Sequence, residues 1–588
     1  MPPQITVLDA GGQYCHLIAR KVRDLGVYAD VAPSETHATE LPGRKGFIIS
    51  GGPSSVYDPG SPSIDPRLLH AGTPVLGICY GHQLMAHLLG GQVRKGDRGE
   101  YGFAQLEMLE ADTILRGVSG RQQVWMSHRD TVIAPPAGFR VLARTDTCEV
   151  AAMASPEARL YAVQFHPEVA HTHCGRDILT NFLFGVCGCA KDWDPAGQVD
   201  RVEAQVRAAA GHRNVFFFVS GGVDSTVAYT LCLRSLGAER VHGTYVDTGL
   251  MREGETAFVR ANFESLGASS FAVEDAAAQF LGALATATEP ERKRHIIGEE
   301  FVRVQQRILE SEHYLDGRWI LGQGTIYPDT IESGGTASPG KSKADLIKTH
   351  HNRVAGIQKL IDEGRIIEPL TSFYKDEVRA IGKQLGLPAG LLERHPFPGP
   401  GLAIRCLCAD SAGVAEKIPE GWLLPVRSVG VQGDSRTYRA ALAIDGIPDS
   451  DEEAAALTNR VERANRVVAE VWTADRLGSM HSSPARLTAE RLSRLRRADA
   501  VVREIAERSG FDRAVWQFPV VLIPFGTDAR PDSVVLRPID SVDGMTASVV
   551  RMPAELLAEM TRELSAIEGV GGVFYDLTNK PPGTIEWE

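Results

Sequence analysis

The stretch Val215–Thr226, VFFFVSGGVDST, constrains the fold more than any other in this chain of 588 residues. Val215–Val219 is an unbroken apolar, partly aromatic run, the mark of a strand buried on both faces. It runs straight into Ser220-Gly221-Gly222-Val223-Asp224-Ser225, after which Val227, Ala228 and Leu231 recur at helical spacing. A strand, a glycine turn and a helix start in that order call for an α/β sheet. They also make an anion cradle. Glycines let backbone N–H groups close on a phosphate, hydroxyls add donors, and the helix N-terminus adds partial positive charge. The loop lacks the lysine of G-x-x-x-x-G-K-S, so it is a phosphate loop of another kind.

A chain of this length exceeds what one core can serve, and roughly two to four domains are expected. With 43% hydrophobic and 23% charged residues the composition is that of a globular protein. No apolar run reaches the length of a membrane span, and MPPQITVLDAGGQYC carries no signal-peptide pattern. A net charge of −12 argues against a general nucleic-acid binder, though not against a local basic pocket for phosphate. The nine cysteines are scattered, and Cys187-x-Cys189 and Cys406-x-Cys408 have the wrong spacing for a zinc ribbon. Reduced thiols in a cytoplasmic protein are expected, with small molecules rather than nucleic acid or membrane as partners.

Residues 1–190 repeat the pattern of strand, turn and helix in ITVLDAGGQY, GFIISGGPSSV and PVLGICYGHQLMAHLLGG, which predicts a mostly parallel α/β domain. In Gly77-Ile78-Cys79-Tyr80-Gly81 a strand ends at a cysteine flanked by glycines two positions away on either side. That is the logic of a nucleophile elbow: the sharp turn exposes the sulfur, the glycines remove clashes, and the helix N-terminus stabilises thiolate. Tyr161–Glu168, YAVQFHPE, reads as a strand that projects His166 and Glu168 from one side, a base with its own orienting carboxylate.

With Gly51-Gly52-Pro53 after another strand, these motifs resemble the class I glutamine amidotransferases, a flavodoxin-like family. The resemblance implies that Cys79 attacks the glutamine side-chain amide, that His166 is base and then acid, and that Glu168 orients it. It places the oxyanion donors at backbone N–H groups near Gly52 and Tyr80. It sets Gln83, Tyr101-Gly102 and Ser127-His128-Arg129-Asp130 around the substrate.

Residues 191–205 read as a linker, and residues 206–405 as a second, doubly wound parallel-sheet domain. Val241–Gly249, VHGTYVDTG, is its second strand, with Val246 where such a sheet meets the adenosine end of a nucleotide. Glu291–Gly298, ERKRHIIG, is either a solvated basic helix face or an anion site. Gly335–Ser342 matches G-x-x-x-x-G-K-S but follows a polar loop rather than a buried strand, so it reads as a Gly/Ser lid. It runs into Lys348-Thr349-His350-His351-Asn352, a cluster able to reach phosphate.

SGGVDS resembles the pyrophosphate loop of enzymes that split ATP into AMP and pyrophosphate. GTIYPDTIES, IKTHHN, EPLTSFYKDEVRAIG and RHPFPGPGLAIR follow it in an order that resembles the family of glutamine-hydrolysing GMP synthases. The resemblance implies ATP, with Mg²⁺, at Ser220, Gly221, Gly222, Val223, Asp224, Ser225 and Thr226, with Val246 and Lys375 nearby. It implies XMP at Arg294, Asp434, Gln517, Lys580 and Glu586, and glutamine as nitrogen donor.

Residues 406–588 are expected to be an α+β region that binds XMP. Here LLPVRSVGVQGDSRTYRAALAID and VVLIPFGTDARPDSVVLRPID share the spacing of their proline and closing Ile-Asp, which suggests a duplication. The layout resembles the longer, eukaryote-like form of the family. Short forms dimerise through one copy of this region, so two copies leave homodimer and monomer both open.

Overall fold

The computed structural model describes residues 2–95, 100–111, 113–169, 171–332, 355–432, 435–448, 450, 454, 457, 460–541, 547–580 and 582–588, without the side chains of 330–332, 431–432 and 435–436. The expected lid, residues 334–352, and Asp434 lie outside them. The chain divides into two compact units, Met1–Pro195 and Ala196–Glu588. The division falls within the expected linker, whose second half, from Val199 on, is already helical.

The first unit is built on β1 (Ile5–Asp9), β2 (Ala29–Pro33), β3 (Gly46–Ile49), β4 (Val75–Ile78), β5 (Glu100–Met108), β6 (Gln122–His128), β7 (Arg140–Arg144), β8 (Ala152–Ser155) and β9 (Leu160–Val163). They form one sheet in the order β2-β1-β3-β4-β9-β8-β7-β5-β6. The pairings among β2, β1, β3, β4 and β9 are parallel. That five-strand core has the 2-1-3-4-5 order of a flavodoxin-like fold. The remaining strands pair antiparallel beside it. Helices α1 (Cys15–Asp24) and α2 (Tyr80–Leu88) follow β1 and β4. β1, β3 and β4 are buried almost throughout, as continuous apolar strands in a covered parallel sheet must be.

The second unit opens with α3 (Val199–Ala210) and holds two sheets. One comprises β10 (Asn214–Val219), β11 (Val241–Asp247), β12 (Phe271–Asp275), β13 (Trp319–Gly322) and β14 (Ile366–Ile367), all parallel in the order β12-β11-β10-β13-β14. The order reverses direction between β10 and β13, and the loop after β10 sits at that switch point, where α/β sheets bind ligands. Around it lie α4 (Val223–Leu236), α5 (Pro290–Ser311) and α6 (Lys375–Gln384).

The other sheet comprises β15 (Glu416–Ile418), β16 (Gly421–Gln432), β17 (Ser435–Asp445), β18 (Ala464–Thr473), β19 (Val520–Ile523), β20 (Asp532–Leu536) and β21 (Val570–Asp576), in the order β15-β16-β17-β18-β21-β20-β19. Hairpins β16–β17 and β19–β20 stand toward its two ends; β17 pairs parallel with β18, β20 parallel with β21, and β18 meets β21 antiparallel at the centre. Helices α7 (Ala489–Ser509) and α8 (Ala554–Ser565) accompany it. One apolar cluster runs from Phe216 and Leu321 through Leu402 and Leu492 to Leu442 and Val520, so both sheets share a core. Among the described residues no helix is long and apolar enough to cross a membrane.

Candidate functional sites

Cys79 sits at the tight junction of β4 and α2 with φ of 53°, a left-handed value that a residue with a Cβ adopts only under constraint. The neighbouring glycines make the turn possible. A Cβ on Gly77 would lie 2.5 Å from the Gly81 carbonyl oxygen, and one on Gly81 would lie 2.4 Å from that of Ile49. The Cys79 N–H donates to the Val163 carbonyl (2.8 Å), tying the elbow to the end of β9.

The run that carries the base is not a strand along its whole length. β9 ends at Val163, and Pro167, which cannot donate to a ladder, leaves His166 and Glu168 in a turn beyond it. They face one another there: His166 Nδ1 donates to Glu168 Oε1 at 2.7 Å, and Cys79 is the other hydrogen-bond partner of the ring. Burial opposes a charge on His166, but the Glu168 carboxylate and the Cys79 sulfur outweigh it and hold the imidazolium well above its usual range. Glu168 is 1% exposed, so its charge acts with little screening.

A cavity of about 610 Å³ opens over the thiol, lined by Gly51, Gly52, Gln83, Tyr101, Ser127–Asp130 and His166 among others. Tyr80 is the first residue of α2, so its N–H is one of the helix's outward-pointing donors. Gln83 is buried, and its Nε2 donates to the Asp130 carbonyl (2.6 Å) and to Gln164 Oε1 (3.2 Å). It therefore braces the wall of the cavity. His128 donates toward Glu100 Oε2 (3.1 Å), and Ser55 Oγ donates to Asp130 Oδ2 (2.5 Å).

In the second unit, Gly221 takes φ of 72° and Gly222 caps α4. Ser225 and Thr226 hydroxyls donate to the Gly222 carbonyl (3.1 and 2.9 Å), and Ser220 Oγ lies 3.1 Å from Ser225 Oγ. The loop is thus preorganised around the N-terminus of α4. Lys375, the first residue of α6, forms an ion pair with Asp224. A cavity of about 460 Å³ joins Ser220–Asp224 to Val246 at the end of β11, and Lys375, Arg379, Arg394, His395 and Phe397 close it. Asp224 Oδ1 is buried without a hydrogen-bond partner among the described residues, an acceptor suited to a hard cation.

The remaining sequence-predicted residues lie toward the C-terminal segment. Glu586 accepts both fork bonds of Arg405 (2.9 and 2.7 Å), and Arg294 Nη2 donates to the Glu588 carbonyl oxygen (2.5 Å). Gln517 is buried in a bridge with Ile539, its Oε1 without a partner among the described residues, and Lys580 bridges Ala547 through the backbone. Within the basic run on α5, Arg292 and His295 are exposed, as on a solvated face, whereas Lys293 is fully buried, donating to Ala403 O (3.2 Å), Cys406 O (2.9 Å) and Glu588 Oε2 (2.6 Å). Sequence reasoning quoted Lys293, Arg394 and Arg405 only within longer motifs and missed their partners, Glu588, Glu255 (2.8 and 2.6 Å) and Glu586. The apolar neighbours of Arg405 in PGLAIRC were the available signal, since a charge set in such a run needs a buried partner.

In fold and site the first unit is of the class I glutamine amidotransferase type, and residues 6–186 match the family model described as Glutamine amidotransferase class-I. Residues 504–587 match the model described as GMP synthase C terminal domain. A Leptospira interrogans protein named "Probable GMP synthase [glutamine-hydrolyzing]" is 40% identical over all of this chain and 99% of its own length. The GMP synthases [glutamine-hydrolyzing] of Syntrophomonas wolfei and Streptomyces coelicolor are 40% and 39% identical, over 99% and 100% of this chain and 99% and 98% of their own lengths. The chain belongs to the family of glutamine-hydrolysing GMP synthases.

Proposed function

We propose that this chain makes GMP from XMP, with glutamine as nitrogen donor and ATP cleaved to AMP and pyrophosphate. The observation that carries the reading is the pairing, in one chain, of a thiol–imidazole–carboxylate elbow with a phosphate cradle that has no Walker lysine. In the first unit Cys79 Sγ attacks the glutamine amide carbon, and the oxyanion that forms meets the N–H groups of Tyr80 and Gly52. His166 delivers a proton to the departing ammonia, and water then hydrolyses the thioester. Glu168 keeps Nδ1 protonated, so that Nε2 faces the chemistry.

In the second unit the C2 oxygen of XMP attacks the α-phosphorus of ATP, and the bond to the bridging oxygen breaks toward pyrophosphate. Ammonia then adds at C2, loses a proton, and AMP departs with the C2–O electron pair. Ser220–Thr226 cradle the phosphates, Lys375 is poised beside them, and Val246 stands at the adenosine end. Arg294, Gln517, Lys580 and Glu586 are the XMP contacts we favour from family resemblance. Mg²⁺, for which Asp224 Oδ1 is a fitting ligand, would spread the phosphate charge when bound.

The paired hairpin–strand halves that meet at β18 and β21 support a duplication. They favour a monomer in which the second half stands in for a partner subunit. Sedimentation at micromolar concentration tests this, and a dimer overturns it. Nine free cysteines support a reducing, cytoplasmic location.

The decisive assay is GMP formation from XMP, ATP and Mg²⁺ with glutamine or ammonium, in the wild type and in Cys79→Ala. The variant is expected to lose only the glutamine-driven reaction. No GMP from the wild type with either donor would refute the acceptor, and glutamine use by the variant would refute the triad.

A further inference from the structure

We infer that Arg379 is a ligand of the β- and γ-phosphates of ATP and of the pyrophosphate that leaves, an inference that rests on the reading above. The cavity at the phosphate loop is lined by two carboxylates, Asp224 and Glu255, and by three permanent cations, Lys375, Arg379 and Arg394. Asp224 is taken by Lys375, and Glu255 by both fork bonds of Arg394. His395 turns Nδ1 to the Trp516 carbonyl (2.6 Å). Arg379 is left over. Its Nε is buried and has no hydrogen-bond partner among the described residues.

A desolvated guanidinium donor with no acceptor is costly, and the cost is recovered only when an acceptor arrives. Helix geometry says where that acceptor is. Lys375 and Arg379 are four residues apart on α6, hence on one face, and α6 packs along α4, whose N-terminus is the cradle. An anion held by Ser220–Asp224 therefore meets the face that carries both cations. Lys375 must be shared with Asp224, whereas the fork of Arg379 is uncommitted among the described residues and suits two oxygens of a diphosphate. When the α-phosphorus bond breaks, its electron pair goes to pyrophosphate, and an uncompensated cation is worth most on that new charge.

The test uses XMP-dependent exchange of labelled pyrophosphate into ATP, and inhibition of GMP synthesis by added pyrophosphate, with ammonium as nitrogen donor. Arg379→Gln is expected to raise the KM for ATP and the inhibition constant for pyrophosphate by about tenfold or more, the loss of one charged hydrogen bond. Arg379→Lys is expected to recover part of both. The melting temperature of Arg379→Gln should stay at or above that of the wild type, because no native partner is orphaned. If the wild type shows no XMP-dependent exchange, the reading of the site fails before any variant is made. If the wild type exchanges and Arg379→Gln binds pyrophosphate as tightly, this inference alone is overturned. A pyrophosphate constant unchanged beside a lowered melting temperature would show a structural arginine, which also overturns it.

Discussion

Replacing Asp576 by Asn probes the most heavily charged point in the C-terminal core. Asp576, Arg466 and Arg537 are all 0% exposed. The Asp576 Oδ2 atom accepts from Arg466 Nη1 (2.9 Å) and Trp587 Nε1 (2.8 Å) and lies 2.8 Å from Arg537 Nη1, while Oδ1 accepts from the Thr578 N–H (2.9 Å). Two guanidiniums thus share one carboxylate. Burial and the nearby Arg537 already drag Arg466 down to about 9, with Asp576 pulling the other way. Asparagine keeps the shape but leaves two buried positive charges facing each other, which by the measure of broken buried pairs costs about 3–5 kcal/mol.

The sign with pH follows. Burial opposes the Asp576 charge, but Arg537 and Arg466 overcome it and hold the carboxyl below its ordinary 3.8. Its stabilisation is therefore complete above the unfolded value and is lost as pH falls through the lower folded one. Denaturant melts of wild type and Asp576→Asn, followed by tryptophan fluorescence, should differ by a constant amount from pH 7 down to about 5 and converge in stronger acid. A difference under about 1 kcal/mol at pH 7 would refute the reasoning, because it would mean the two arginines do not need this charge.

Three further outcomes are expected. Glu168→Gln should cut glutamine-driven turnover by about 10²–10⁴-fold and spare the ammonium-driven reaction, and its alkaline limb should fall at lower pH, since the charge that raises His166 is gone. Parallel pH–rate profiles with the two donors decide this, and equal losses with both would count against the orienting role. Gly81→Ala, whose new Cβ must escape the Ile49 carbonyl at 2.4 Å, should destabilise the first unit by about 1–3 kcal/mol and remove most glutamine hydrolysis; hydrolysis within twofold of wild type would show that the elbow tolerates the group. Burial pushes the Glu588 side chain up to about 7 against the pull of Lys293. The contribution of Glu588 to stability should therefore fall as pH rises from about 5 to 7, and melting curves of wild type and Glu588→Gln should differ in slope over that window, which identical slopes would disprove.

What the chain's letters revealed, and what they hid, follows from the range of the interactions. The elbow, the phosphate cradle and the alternation of strand and helix were legible because each is written locally, whereas the flavodoxin-like fold was expected only through the family resemblance. Gly77, Cys79 and Gly81 solve one steric problem within five residues, and Val215–Val219 announces a doubly covered strand. Glu168 could be paired with His166 because the two are neighbours in sequence, although Pro167 puts them in a turn rather than on a strand. Arg405–Glu586 and Lys293–Glu588 are separated by 181 and 295 residues, and no spacing rule connects them. The basic run Glu291–His295 shows the ambiguity best. A lysine on a charged helix looks solvated, and only the arrival of Glu588 makes a fully buried Lys293 affordable. The same logic separates Lys375 from Arg379. Both stand in KDEVR, and the family resemblance singles out Lys375 beside the phosphates. Only the folded cavity shows that Asp224 already holds that lysine, while the arginine one turn on has no acceptor among the described residues. Charge balance inside a cavity is a property of the fold, and it makes the second cation the more informative one to mutate.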